Sequence, residues 1–585
     1  MHSMLFRQPF RQPFRHPRRL FGLILLLCLV ALSGCSGPEQ SVARTGIDDF
    51  SGALAMPDSF SADVVEAVLA GGGNAVDAAI AAAFVLAVTL PEAGNLGGGG
   101  FMLMHMDGES AFLDYRETAP MAAHRDSYLD PAGEVIEGAS LVGHRAAGIP
   151  GTVAGLWAAH TRHGTLPWAD LVQPAVTLAE RGFEVDPKLA ANVANKRPEF
   201  AERTNFGDYF GEVQAGAIWV QPELAATLAR IRDQGPDDFY RGTTAALLVD
   251  EMKQSGGWIT LDDLAGYEAV WRAPLSARWR GFDVVSAPPP SSGGFGVIQL
   301  LTMKAMLDDA FADAPINSAT YIHLVAEMQK RVFADRAEYL ADADFVPVPI
   351  DGLIDEAYIR VRAAEVNATA ISEVQAAGPG LAEGTQTTHF SIVDATGNAV
   401  SNTYTLNTSF GSGVVVRGAG FLLNNEMDDF SIKPGVPNFY GVVGAEANAV
   451  EPGKRPLSSM SPTLLLDDGR VRMAVGTPGG STIFGSVFLT IAAIVDAGLT
   501  AEAAVALPRF HHQLLPPELV TYTPSTPLPE DTVGDLERMG YRVEPHPWEF
   551  GDLQVVWFDG SQWQAAADPR HRGRARVLAP AALDR

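Results

Sequence analysis

The chain has 585 residues, 42 of them basic and 69 acidic, is 47% hydrophobic and 19% charged, and carries two cysteines, Cys28 and Cys35. This balance fits a folded globular protein with room for a large core or several domains, and it excludes a disordered or collagen-like chain. A net charge of −27 excludes nucleic-acid binding by general phosphate neutralisation, and with both cysteines in the first 35 residues the body has no disulfide and no cysteine-held metal.

Residues 1–19 hold five arginines and no acid, which leaves 37 basic residues against 69 acidic ones in the rest. Leu20 to Leu32 is an uncharged run of 13, short of the roughly 20 apolar residues that span a bilayer but suited to the core of a secretory signal. It ends in Leu32-Ser33-Gly34-Cys35, which resembles the lipobox of bacterial lipoproteins, where the signal is cut before an acylated cysteine. The expectation is a signal over 1–34 and a tether over 35–47, lipidated on Cys35. An ordinary signal peptide or an uncleaved anchor is the alternative. Ser36 in place of Asp favours the outer membrane, on its periplasmic side.

Beyond the tether, helix and strand signals alternate. Ser59–Leu69 and Ala75–Leu90 read as helices, the second with Asn74 as N-cap; although apolar, it contains Asp77 and ends at Pro91, so it reads as buried, not membrane-spanning. Phe101–Met106 and Ser110–Tyr115 flank Asp107-Gly108, a strong hairpin signal, and Arg116 follows. Helix-rich sequence fills most of 150–375, interrupted by a loop at Ala287–Gly294, and Ser318 is placed to cap a helix running to about Asp335. Residues 376–386 form a loop by composition. Strand character follows in Thr388–Asp394 and Asn398–Leu406, with Thr396-Gly397-Asn398 between them. Paired positions in that hairpin should sum to about 791–793, which puts Thr387 opposite residue 404, 405 or 406. In the middle register Thr405 presents its hydroxyl beside Thr387 on the same face.

Several residue groups carry a bland reading when taken singly. Thr387-Thr388-His389 is ordinary on any strand edge, and Arg116 suggests a surface ion pair with Asp114 or Glu117. Glu426, Asp428 and Asp429 suggest a solvated acidic loop or a calcium site. Gly479-Gly480 suggests a turn after Arg472–Val475; a phosphate loop would need a following Lys-Ser/Thr, which is absent. Neighbouring His511 and His512 would point to opposite faces of a strand and read as structural.

Taken together, Thr387-Thr388-His389-Phe390-Ser391, Asn407-Thr408-Ser409-Phe410-Gly411, Leu422 to Phe430, Pro456 to Thr463 and Gly476 to Ser481 resemble the signature of the γ-glutamyltransferases, members of the N-terminal-nucleophile hydrolases. Gly97–Met102, Asp114 to Glu117 and Pro288–Gly294 add upstream matches, so the resemblance covers the body from about residue 48 onward. It implies an α+β fold, a four-layer αββα sandwich built from two autoprocessed subunits, 48–386 and 387–585. The cut falls between Gln386 and Thr387, by attack of the Thr387 hydroxyl on the Gln386 carbonyl. A threonine hydroxyl needs a base, and the freed α-amine of Thr387, with an ordinary pKa of about 7.7–8.0, supplies one.

The resemblance further implies that Thr405 orients the nucleophile and that the Gly479 and Gly480 N–H groups receive the oxyanion. Arg116, Ser458 and Ser459 would hold the substrate α-carboxylate. Asp429, Glu426 and Asn407 would hold its α-ammonium. Residues 434–445, with Tyr440, resemble the family's lid loop. The expected activity is hydrolysis of glutathione and other γ-glutamyl amides, or transfer of the γ-glutamyl group to amino acids or peptides, through a γ-glutamyl–Thr387 ester. No metal and no cofactor are implied. The alternatives are a glutaryl or cephalosporin-type acylase on the same scaffold, which would not need the ammonium-binding acids, and a non-catalytic peptide-binding lipoprotein.

Overall fold

Alternation along the strands sorts the molecule into layers. In Gly52–Met56, Leu54 and Met56 join one apolar cluster while Ala53 and Ala55 join another, as a period of two requires. Thr387–Asp394 splits the same way, with Phe390 and Ile392 on one face and Val393 on the other. The computed structural model describes residues 50–373, 387–436, 438–439, 441–442 and 444–579.

Seven antiparallel strands form the first sheet, in the order Arg574–Leu578, Gly52–Met56, Thr387–Asp394, Ala399–Thr405, Gly99–Met106, Glu109–Asp114 and Val270–Arg272. Six form the second, in the order Trp563–Ala567, Gln554–Phe558, Arg470–Gly476, Thr463–Asp467, Phe282–Ser286 and Leu275–Trp279. A thin core of Ala53, Ala55, Phe101, Leu103, Ala474 and their neighbours joins the two inner faces. Each outer face is covered by helices over its own core. The expected αββα sandwich is therefore the observed architecture. Sequence on both sides of position 387 supplies strands to both sheets.

On the first outer face lies Ala75–Thr89, every residue of which is buried. Asn74 and Asp77 close a capping box at its start, and Asp77 also accepts from the Thr165 N–H at 2.9 Å. The one acid in this apolar run is thus a helix cap. On the second outer face Ala319–Tyr339 begins at the N-cap Ser318 and runs four residues past the expected end. Its stripe of Ile322, Val325, Met328 and Val332 is fully buried. No helix among the described residues is long and apolar enough to cross a membrane.

The strands Val270–Arg272, Leu275–Trp279 and Phe282–Ser286 lie in a stretch whose sequence reads as helix-rich. Their turn is Arg280-Gly281, both at positive φ (51° and 89°), in place of the Asn-Gly or Asp-Gly that announces such a hairpin.

Candidate active site

The hairpin that opens at Thr387 is held at its far end by the Asp394 carboxylate, which accepts from the backbone N–H groups of Thr396 (2.9 Å) and Asn398 (3.1 Å). Gly397, at φ 87°, completes the turn. This fixes the middle of the three possible registers: Thr405 pairs with Thr387, Thr403 with His389 and Ser401 with Ser391. Thr387 is the first residue of the third of the seven strands, beside the central Ala399–Thr405.

Odd-numbered residues of that strand face the second sheet, where the Ser391 hydroxyl donates to the Gln554 carbonyl at 3.0 Å. The Thr387 hydroxyl donates to Thr405 Oγ1 at 3.2 Å, and Thr405 Oγ1 also accepts the Asn407 N–H at 2.8 Å. Asn95 Nδ2 holds the Thr405 carbonyl at 2.9 Å. Gly98 packs under the same residue, and a Cβ there would lie 2.1 Å from the Thr405 carbonyl oxygen. The glycine run at 97–100 is thereby explained by close approach.

His389 is not a base for Thr387. Its ring nitrogens hydrogen-bond Thr403 Oγ1 (2.7 Å) and Ser391 Oγ (3.0 Å), and burial pushes its pKa down to about 3. His511 and His512 are likewise buried, pushed down to about 3 and about 4, and bonded to Gln513 and to the Leu519 carbonyl. They sit in the packing, as their sequence suggests.

Thr387 and Thr405 line a pocket whose other walls are Arg116, Glu426 and Asp429, the Ser458–Ser459 pair, and Gly480. Gly479 and Gly480 form a turn between Arg470–Gly476 and the helix Ile483–Val495. Gly479 has φ 143°, and a Cβ on it would sit 2.4 Å from Thr482 Oγ1, so the position accepts only glycine without strain. N–H groups before a helix have no intrahelical acceptor, which suits an oxyanion.

The charges opposite the threonine pair form one buried cluster. Arg116 follows the strand Glu109–Asp114 and is 1% exposed, so it is no surface pair. Its Nη1 meets Glu426 Oε2 at 2.7 Å, its Nη2 meets Asp429, and its Nε donates to the Pro456 carbonyl at 3.3 Å. Glu117 stands behind at 3.9 Å. Three carboxyls therefore share one guanidinium. Burial pushes the Glu117 carboxyl up to about 8, holds Glu426 well above the ordinary carboxylate range and raises Asp429, with Arg116 pulling against the shift in each case. Acids buried in excess over their cation favour a further cation beside them.

Asn407, in the left-handed region at φ 77°, lines the same pocket and anchors its Nδ2 on the Asn425 carbonyl at 3.0 Å. Asp428 turns away from this group. Its carboxylate accepts from Ser140 Oγ (2.6 Å) and from the Phe439 N–H (2.9 Å), tying down the segment expected to act as a lid, of which Asn438 and Val442 reach the pocket. The sequence reading did not include Arg336, which also lines the pocket. Its helix mixes charges in a way that suggests a solvated face. Of the other candidates, Cys35, Gln386 and Tyr440 lie outside the described residues.

A strand-initial threonine at the centre of a four-layer sandwich, facing a charged pocket between the sheets, defines the class as an N-terminal-nucleophile hydrolase. Residues 61–578 match the family model for gamma-glutamyltranspeptidase. The chain belongs to that family. It is 56% identical over 551 residues to a glutathione hydrolase proenzyme of Pseudomonas aeruginosa, covering 94% of this chain and 98% of that one. A gamma-glutamyltranspeptidase from Pseudomonas nitroreducens, solved with L-DON, is 54% identical with a TM-score of 0.55, covering 55% of this chain and 96% of that one. A cephalosporin acylase from Bacillus halodurans superposes with a TM-score of 0.79 over 94% of this chain and 99% of its own, at 26% identity.

Proposed function

We propose that this protein is a self-cleaving γ-glutamyltransferase that hydrolyses glutathione and related γ-glutamyl amides or passes the γ-glutamyl group to an amino acid or peptide. The observation that carries this reading is the Thr387–Thr405 hydroxyl pair facing a buried cluster with more carboxyls than cations. In the precursor, Thr387 Oγ1 attacks the Gln386 carbonyl carbon. The peptide C–N bond breaks as nitrogen takes a proton, an ester forms, and water hydrolyses it to leave Thr387 with a free α-amine.

In turnover that amine takes the hydroxyl proton as Oγ1 attacks the γ-carbonyl of the donor. The oxyanion forms beside the Gly479–Gly480 turn. Collapse expels the leaving amine, which receives the proton, and leaves a γ-glutamyl ester on Thr387. Water or an incoming amine then attacks the ester. The donor's α-ammonium is placed against Glu426, Asp429 and Asn407, and its α-carboxylate toward Ser458, Ser459 and the Arg116 side of the pocket. An ammonium site supports γ-glutamyl over glutaryl substrates, in line with the higher identity to glutathione hydrolase than to cephalosporin acylase.

Intact mass spectrometry of the purified protein tests processing. Two masses with a break before Thr387 are expected, and Thr387→Ala should give one uncut chain with no turnover. An uncut but fully active variant refutes the nucleophile. The faster of γ-glutamyl- and glutaryl-p-nitroanilide decides the substrate, and a clear glutaryl preference overturns the reading. The Leu-Ser-Gly-Cys sequence supports lipid attachment at Cys35 on the periplasmic side, probed by the mass of the larger fragment.

A further inference from the structure

The pocket contains two guanidinium groups, and they are differently employed. Arg116 has both ends on carboxylates, Glu426 and Asp429, and its Nε on a backbone carbonyl. Arg336, near the end of Ala319–Tyr339 and 6% exposed, reaches the serine wall. Its Nη2 donates to Ser459 Oγ at 3.5 Å and its Nε to Ser292 Oγ at 3.0 Å. Ser292 in turn holds the Ser458 carbonyl through both its hydroxyl and its backbone N–H, each at 2.8 Å. A single side chain thus braces both members of the serine pair from behind.

We propose that Arg336 is the positioning residue for the donor's α-carboxylate, acting through Ser459 and Ser292. This rests on the γ-glutamyl reading above and extends it to the group that makes the serine wall attractive to an anion. A hydroxyl oxygen that accepts from a guanidinium keeps its own proton for another acceptor, and the nearby positive charge makes that proton a stronger donor. Electrostatics supports the same residue. Glu117, Glu426 and Asp429 share the guanidinium of Arg116, and the positive charge of Arg336 also acts on Asp429. Any of these acids that ionises repels a carboxylate, whereas a second guanidinium beside the Ser459 hydroxyl attracts one, so the pocket has an anion-binding wall and a cation-binding wall. The two walls match the two charges of an α-amino acid.

The test compares wild type, Arg336→Gln and Arg336→Lys as purified full chains on three anilides. γ-Glutamyl-p-nitroanilide has both α-groups, glutaryl-p-nitroanilide has only the carboxylate, and 4-aminobutyryl-p-nitroanilide has only the ammonium. Loss of a charge-assisted contact predicts that Arg336→Gln raises KM for the first two about 10- to 100-fold, with kcat changed less than about threefold. For the third, kcat/KM should be retained. Arg336→Lys keeps the charge without the fork and should recover part of the loss.

An equal loss on all three anilides would make Arg336 merely structural and overturn the proposal. So would an unchanged KM for γ-glutamyl-p-nitroanilide, or failure of both variants to self-cleave, because a residue serving the donor carboxylate leaves processing intact. A wild type inactive on γ-glutamyl-p-nitroanilide overturns the underlying reading, whereas an active wild type with unmoved ratios overturns only the role of Arg336.

Discussion

Thr405→Val separates orientation of the nucleophile from binding of the substrate. The substitution preserves shape and removes one oxygen, buried at 2% exposure, which accepts the Thr387 hydroxyl at 3.2 Å and the Asn407 N–H at 2.8 Å. Leaving a buried N–H without that acceptor costs about 1–3 kcal/mol. Loss of the hydroxyl's orienting partner acts on the attacking step, where about 1.4–2.7 kcal/mol corresponds to a tenfold to hundredfold slower reaction. The Thr405 hydroxyl bonds to the nucleophile and to the Asn407 N–H, so kcat should fall by that factor while KM for γ-glutamyl-p-nitroanilide stays within about twofold. Self-cleavage uses the same hydroxyl and should slow in parallel, followed as decay of the full-length band on a denaturing gel. Thr405→Ser restores the oxygen and should restore most of both rates. Wild-type kcat in Thr405→Val, or a serine variant as impaired as the valine one, would refute the reasoning.

Arg116→Lys replaces a fork that bridges Glu426 and Asp429 with a point charge able to serve one of them. KM for γ-glutamyl donors should rise about tenfold or more, and an unchanged KM from initial rates would remove Arg116 from donor binding. Gly479→Ala forces a side chain into φ 143° and against Thr482, a cost of about 1–3 kcal/mol, and should reduce processing and kcat. Gly498→Ala, also at positive φ (68°) but facing open space, is the comparison, and equal damage from both would show that Gly479 has no special part. For pH, His389 is held neutral with its pKa pushed from 6.5 to about 3, so its contribution to stability is full above pH 6.5 and is lost as pH falls toward 3. At pH 5 that loss is about 2 kcal/mol. The stability gap between wild type and His389→Gln, from urea midpoints, should therefore shrink by about 2 kcal/mol between pH 7 and pH 5. A constant gap would contradict neutral burial.

The hairpin was legible because its information is local. A short turn of fixed length and the alternation of Thr, His and Ser with Phe and Ile leave few registers, and the one that pairs Thr387 with Thr405 is observed. Arg116 was not legible in that way. Asp114 and Glu117 beside it suggest a surface pair, while Glu426 and Asp429 lie more than 300 positions downstream; only resemblance joined them. Arg336 was missed for a related reason: Lys330, Arg331, Asp335 and Arg336 look like a wetted helix face, yet all four are buried. Where charged residues are buried in partnership with distant segments, local periodicity carries no sign of it.

The bond before Thr387 lies at the entry to a strand whose neighbours come from the two sides of that bond in sequence, Gly52–Met56 on one flank and Ala399–Thr405 on the other. A break there severs a covalent link without opening a seam. Dilution should not part the two products, because separation would split a sheet between its strands and uncover the two outer cores and the thin core between the sheets. Either piece made alone would expose unpaired strand edges and be drawn to aggregate. Synthesis as one polypeptide is then a solution to an assembly problem, and whatever fastens one product to a surface keeps the other there as well.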